Sequence, residues 1–259
     1  MIKYWNSDNR ATSLYVTIKC SSKKRFYLVV SEKDKPNSNY AKREMEVHGE
    51  RTVYFSFPLT TKVMTIGIFN MSDKSDNDFT VELKEAPLKT YNIWTDQDTK
   101  DFLKLNFLFS QVAGFESASK DGKVFSSGQF TIKYYPVIID YMTNRPLSTP
   151  ARIGHNTGTI EAAKNKFDRY TFAERVIIML HEFSHKYRNP KLGLAIENEK
   201  GADVNALYIY LGMGFSKIDA INVFANVFLK AQTSSNIDRM RNIMNFIQKF
   251  EQGEFAQIA

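Results

Sequence analysis

Up to residue 89, apolar and polar positions alternate with a period of two in short runs. These are Ser13–Lys19, Arg25–Ser31, Thr52–Phe57, Val63–Phe69 and Phe79–Lys84. A period of two places successive side chains on opposite faces of a strand, so each run predicts a half-buried β-strand. Between them, Ser21-Ser22-Lys23-Lys24, Lys35–Asn39, Pro58-Leu59-Thr60 and Ser72–Asn77 are rich in turn residues. Short strands at this spacing predict an antiparallel β-sandwich of immunoglobulin-like type over residues 1–89. No cluster of chemically active side chains falls inside it. Its expected role is a docking module for a protein partner in an assembly, and His48 is expected to be solvated in a polar loop.

After a linker at Ala86–Thr95, which contains Pro87, the pattern becomes mixed. Phe102, Leu105, Phe109 and Val112 recur at helical spacing within Asp98–Phe115. Gln129–Tyr141 reads as a strand, with Pro136 arguing for an edge or a bulge. Arg152–Ala163 reads as a second strand interrupted by Gly154 and Gly158. Thr171–Tyr187 is amphipathic, and Thr171 with Glu174 three residues on forms a capping-box signal. Asn189-Pro190 stops that helix, because the residue before a proline is driven out of the helical region. A further helix spans Leu194–Leu211. Ser216 then caps Lys217–Lys230, and Ser235 starts a last helix with Met240, Ile243, Met244, Ile247 and Phe250 on one face, ended by Gly253. The fold class expected is α+β, with residues 90–259 forming a second domain.

The chemistry concentrates where two of those helices meet. Residues 181–185 read His-Glu-Phe-Ser-His, and two of the chain's four histidines fall there. Side chains four apart share a helix face, so His181 and His185 can address one cation. Glu182 stands beside them, free to accept a proton from water. The plainer alternative is a core helix with hydrogen-bonded histidines. Glu199 and Asp203 on the next helix are again four apart. Glu199 could complete a His-His-Glu set with one position left open, while Asp203 accepts the second ring N–H of a ligating histidine and fixes its tautomer. Glu197 is a rival ligand that lacks an acid four positions on.

His181-Glu182-Phe183-Ser184-His185 followed by Glu199-Lys200-Gly201-Ala202-Asp203 resembles the gluzincin metallopeptidases, whose signature is HExxH and then ExxxD on a following helix. The short spacer is similar to the compact minigluzincins. The likeness is carried by motifs within about residues 95–215. It implies a zincin-like domain with a mixed sheet, an edge strand near Gly158-Thr159-Ile160-Glu161 at the cleft rim, an active-site helix and a helical lower lobe. It implies one Zn2+ held by His181, His185 and Glu199, with Asp203 behind them. It also implies a zinc-bound water activated by Glu182 as general base, and an extended peptide or protein substrate paired along the edge strand. For the oxyanion donor, His155, Tyr208, Tyr210, Tyr187 and Arg188 are candidates without a family position. The lysine- and asparagine-rich chain and the Asp203–Gly214 segment also resemble metallopeptidase-like virion proteins of tailed phages of gut bacteria. That implies a structural or assembly protein as the second function class.

Composition narrows the rest. The 259-residue chain is 43% hydrophobic and 14% aromatic, enough for a sizeable core. The single cysteine, Cys20, excludes an internal disulfide and fits a reducing compartment or a particle assembled there. Met1-Ile2-Lys3-Tyr4-Trp5-Asn6 has no apolar signal core and no run is long enough to span a bilayer, so the expected location is cytoplasm or virion. The net charge of +7 is scattered, and without a recognisable nucleic-acid motif it argues against a nucleic-acid partner.

Overall fold

The computed structural model describes residues 1–8, 10–60, 63–73, 78–91, 96–187, 189, 192, 199–231 and 233–255. The fold is α+β, and the chain divides into two compact units. One is Met1–Lys89 with Gly214–Ser216; the other is Thr90–Met213 with Lys217–Ala259.

The first unit is a five-stranded antiparallel sheet of β1 (Ile2–Asn6), β2 (Thr12–Glu32), β3 (Lys35–Phe57), β4 (Val63–Asn70) and β5 (Thr80–Pro87). β2 and β3 form one long hairpin with a bulge between Cys20 and Lys24. On its other edge β2 pairs with β5 through Thr12–Lys19 and with β4 through Phe26–Glu32. Tyr40 and Phe57 are seventeen positions apart on β3, which would be ~55 Å in a straight strand, yet their ring centroids are 5.1 Å apart. The sheet therefore folds over, burying Leu14, Val16, Phe26, Leu28, Phe55, Phe57, Ile66 and Ile68 between its halves.

The sandwich thus has two layers but one hydrogen-bonded sheet, with β2 and β3 crossing between layers at the bulge. The expected immunoglobulin-like sandwich is realised as one antiparallel sheet. Ser21–Lys24 is polar like a turn, but the strand continues through it. The Lys24 side chain is buried and its Nζ donates to the Asp78 carbonyl at 2.7 Å. Gly49, paired with Cys20, takes φ +78° at the bend, a conformation that favours glycine. His48 is exposed, on a strand rather than in a loop.

The second unit begins with α1 (Gln97–Val112), whose N-cap Asp96 accepts the Thr99 N–H at 2.6 Å. There follow β6 (Lys123–Ser127), β7 (Phe130–Tyr135), the small hairpin β8 (Ile139–Asp140) and β9 (Arg145–Pro146), β10 (Ala151–Ile153), β11 (Ile160–Ala163) and α2 (Lys164–Phe167). β6 carries no signal that the hydrophobic pattern revealed. The expected strand over Gln129–Tyr141 stops at Pro136, beyond which β8 joins a separate sheet. The main sheet runs β10-β11-β7-β6 and is mixed, since β11 lies parallel to β7 while the other pairs are antiparallel.

One expectation moves here. The segment around Gly158–Glu161 is not the edge. Gly154 N–H bonds the Thr159 carbonyl and Gly158 N–H the Gly154 carbonyl, so the chain turns back. β11 is enclosed between β10 and β7, and β10 takes the free edge.

The remaining helices are α3 (Phe172–Ser184), α4 (Glu199–Gly212), α5 (Lys217–Val223), a π-helical turn over Phe224–Phe228, and α6 (Ser234–Glu251). α3 carries the full capping box: Thr171 Oγ1 accepts the Glu174 N–H and Glu174 Oε2 accepts the Thr171 N–H. Every residue of α3 is buried, and Phe183 stacks on Phe102 at 4.2 Å. Arg175 donates to the carbonyls of Ser110 and Phe167, and burial draws its pKa down to about 10. Where one helix was expected over Lys217–Lys230, α5 gives way to the π turn. Glu197, Arg188 and the start of the helix expected at Leu194 lie outside the described residues. Among the described residues no helix is long and apolar enough to cross a membrane.

Candidate metal centre

The centre is built where α3 and α4 run antiparallel. The Tyr210 hydroxyl, late in α4, donates to the Ala173 carbonyl early in α3 at 3.2 Å, while His181 near the end of α3 meets Asp203 near the start of α4. Asn205 ties the same ends together. Its amide nitrogen donates to Ser184 Oγ at 2.8 Å and to the Tyr187 carbonyl at 3.2 Å, and its Oδ1 accepts the Asn189 N–H at 2.9 Å. Carbonyl and amide groups left over at a helix end need such partners. Here the partner also fixes the register that sets His185 opposite Glu199.

His181 Nε2 and His185 Nε2 stand 3.2 Å apart. Glu199 brings Oε2 to 3.5 Å from His181 Nε2 and Oε1 to 3.5 Å from His185 Nε2. One ligand atom from each of the three lies within 4.8 Å of the others. Ligand bonds of ~2.0–2.2 Å at tetrahedral angles require donor–donor edges of about 3.4 Å. The donor set and its spacing therefore fit a small divalent cation. Two imidazole nitrogens this close must share a proton or a metal.

Asp203 is fully buried, with Oδ1 3.0 Å from His181 Nδ1, an ion-pair contact rather than a well-aligned hydrogen bond. Burial works against a charged His181, but the Asp203 and Glu199 carboxylates outweigh it and lift its pKa to about 9. Glu199 falls to about 2, chiefly through its contact with His181. Glu182 is buried, and that burial raises it to about 7, with the Glu199 charge adding to the rise. The Ile153 backbone N–H, on the edge strand β10, is turned towards it and partly offsets the shift.

Three contributors carried no signal in the motif. Arg239 of α6 donates through Nε and Nη2 to the two oxygens of Asp203, at 2.8 and 2.9 Å. The same guanidinium reaches Glu199 Oε2 at 2.9 Å. Phe228, on the π turn, lies on the His181 ring at 4.1 Å between centroids and 31° between planes. Asn205 is the third. The only trace of Arg239 in the sequence is its register. Arg239, Ile243, Phe246, Ile247 and Phe250 are the buried face of α6, so an arginine stands where the apolar stripe asks for a hydrophobe.

The oxyanion candidates fare unevenly. Tyr210 is engaged at Ala173, three helical turns from Glu199, which places its hydroxyl away from the cluster. Tyr208 projects from the side of α4 opposite Glu199 and packs on Phe255. Burial raises its pKa. His155 is exposed on the turn between β10 and β11, and Lys186, next to His185, donates to its carbonyl at 3.3 Å. Tyr187 stacks on Phe183 and meets Phe130 edge-to-face.

No protein-family model, curated protein or solved structure matches this chain. The likeness to gluzincins therefore rests on the cluster itself.

Proposed function

We propose that the protein is a zinc-dependent endopeptidase. The observation that supports this best is the triangle of His181, His185 and Glu199 donors at cation-binding spacing, with a buried Glu182 beside it. The chemistry that a zinc ion supplies when held by these three residues is polarisation of a carbonyl and acidification of water. Glu182, with a pKa of about 7, can take a proton from water at neutral pH and return it to the departing amine. Asp203 holds His181 in the tautomer that presents Nε2 to the cluster. Phe228 covers the His181 ring and keeps water from that side.

The free edge of the sheet supports an extended peptide as the substrate class. In β10 the groups of Pro150 and Gly154 bond inward to Ala163 and Thr159, so the intervening Ala151 and Ile153 face the free side, where the Ala151 carbonyl accepts from Thr149 Oγ1 and the Ile153 N–H is turned to Glu182. An extended peptide adding to that edge would pass Glu182, towards which Ile153 is turned.

The test is metal content together with hydrolysis of a quenched fluorescent peptide library. Wild type should bind one zinc per chain and cleave in a chelator-sensitive way. Glu182→Gln should keep the metal and lose turnover. A protein that binds zinc yet hydrolyses nothing that Glu182→Gln does not would leave only a packing module with a metal.

A further inference from the structure

We propose that Arg239 is a positioning residue of the metal centre: one guanidinium, delivered from α6, orients Glu199 and Asp203 together and so sets how firmly the site holds its cation. This rests on the metal-site reading above. Glu199 stands in the first turn of α4 with its side chain 52% exposed. A glutamate so placed is free to rotate, and fixing it for a metal costs side-chain entropy. The 2.9 Å contact from Arg239 holds Oε2 towards His181. Through its other edge the same planar fork grips Asp203 at both oxygens, and Asp203 in turn meets His181 Nδ1. Two of the three donors are thus oriented from one group, one directly and one through a carboxylate.

The charges make sense only as a set. Asp203 is fully buried and Arg239 nearly so, and a buried charge left unpaired is costly. Two carboxylates one helical turn apart also repel, and the Arg239 guanidinium, in contact with both, offsets that repulsion. Its positive charge also repels a divalent ion, so the proposal requires that orientation outweigh repulsion. That competition gives the test its sign.

The experiment measures Zn2+ affinity of the full-length protein by competition with a chromophoric chelator, and the visible absorption of the Co2+ form. Wild type is compared with Arg239→Lys and Arg239→Met. Lysine can hold Asp203 through one bond but cannot span to Glu199 as well. Arg239→Lys should fold with unchanged circular dichroism, bind Zn2+ ~10–100-fold more weakly, and show a shifted Co2+ band as Glu199 loosens. Arg239→Met should lose more. Zinc affinity within twofold of wild type and an unchanged Co2+ spectrum would overturn the proposal. Tighter binding would also overturn it, since repulsion would then dominate. If neither variant folds, Arg239 is scaffolding and the proposal fails. If wild type itself takes up neither Zn2+ nor Co2+, the metal reading falls; if wild type binds and Arg239→Lys matches it, only this inference does.

Discussion

The two units handle charge in opposite ways. In the N-terminal sheet, ion pairs lie across strands on the wet face, as in Lys19–Glu50, Lys23–Glu46 and Arg25–Glu44. Among its buried cations, Lys24 donates to the Asp78 carbonyl and Arg43 to that of Lys42. In the C-terminal unit, His181, Glu182, Asp203 and Arg239 are all buried and converge between three helices. Exposed pairs contribute little to stability. Buried charges cost several kcal/mol each and need partners to be tolerated. Four buried titratable side chains gathered around donors spaced for a cation are what the proposed reactive site requires.

The sharpest way to break this contrast is Glu182→Gln. Turnover should fall by about 10²–10⁴-fold, the usual contribution of a general base. Stability should move the other way. Burial raises the Glu182 pKa to about 7, so the folded protein holds the proton more tightly than the unfolded chain. An acid with a raised folded pKa lowers stability as pH climbs from its ordinary value through that pKa. The glutamine variant, measured without metal, should therefore match wild type near pH 4 and exceed it above pH 7, by up to about 3 kcal/mol. Thermal unfolding at the two pH values reads this out. A variant less stable at pH 8 would mean that the carboxylate is there for structure.

Next in size is His185→Ala. His185 is less buried than His181, so the substitution tests the metal with the smaller disturbance to the core. Zinc affinity should drop by more than the roughly 10–100-fold that follows loss of an outer partner. Equilibrium dialysis checks it. Uptake equal to wild type would show that the cluster is a hydrogen-bonded core feature.

Metal and proton should also compete. The two carboxylates hold the His181 pKa at about 9 in the metal-free protein. A folded pKa above the unfolded one gives stability that is complete below about 6.5 and is lost as pH rises through about 9. Metal binding needs the neutral ring, so zinc affinity should rise with pH up to about 9 and then level off. At pH 7.5, calorimetry in buffers of different ionisation enthalpy should detect proton release on zinc addition. Zinc at 100 times its Kd should raise stability by about 2.7 kcal/mol. Binding without proton release would place the ion elsewhere.

The ease of reading the site and the difficulty of reading its surroundings have one cause. His181 with His185, and Glu199 with Asp203, are each linked by helix periodicity, which is local, so within each pair spacing in the chain is spacing in space. The capping box of α3 is local in the same sense, as is the change of pattern near residue 89. Arg239 lies forty residues beyond Glu199 in the chain and Phe228 sits on a π turn, so their approach depends on tertiary packing that no short window encodes. The edge strand was misplaced for a similar reason. Gly154 and Gly158 signal a turn, but which arm ends outside depends on β11 pairing with β7, a contact across the fold. In the sheet, polar Ser21–Lys24 imitates a turn because a bulge at a layer crossing is also wet on one side.

The smallest expected effect probes the sheet alone. Gly49 has φ +78° and open space where a Cβ would point, so Gly49→Ala meets no atom and feels only the left-handed backbone. That conformation costs a non-glycine residue about 1–2 kcal/mol, set against the lower unfolded-state entropy of alanine, worth about 0.4–1 kcal/mol. The net loss should be about 1 kcal/mol in chemical denaturation of the N-terminal unit, and Gly49→Asn, which tolerates positive φ, should lose less. Neither variant should change zinc affinity or peptide turnover by more than about twofold if the two regions divide their labour as their charges suggest. A bulge substitution that altered cleavage of a protein substrate while leaving short-peptide turnover intact would tie the sheet to substrate capture. The same substitution weakening zinc uptake would erase the contrast between the units.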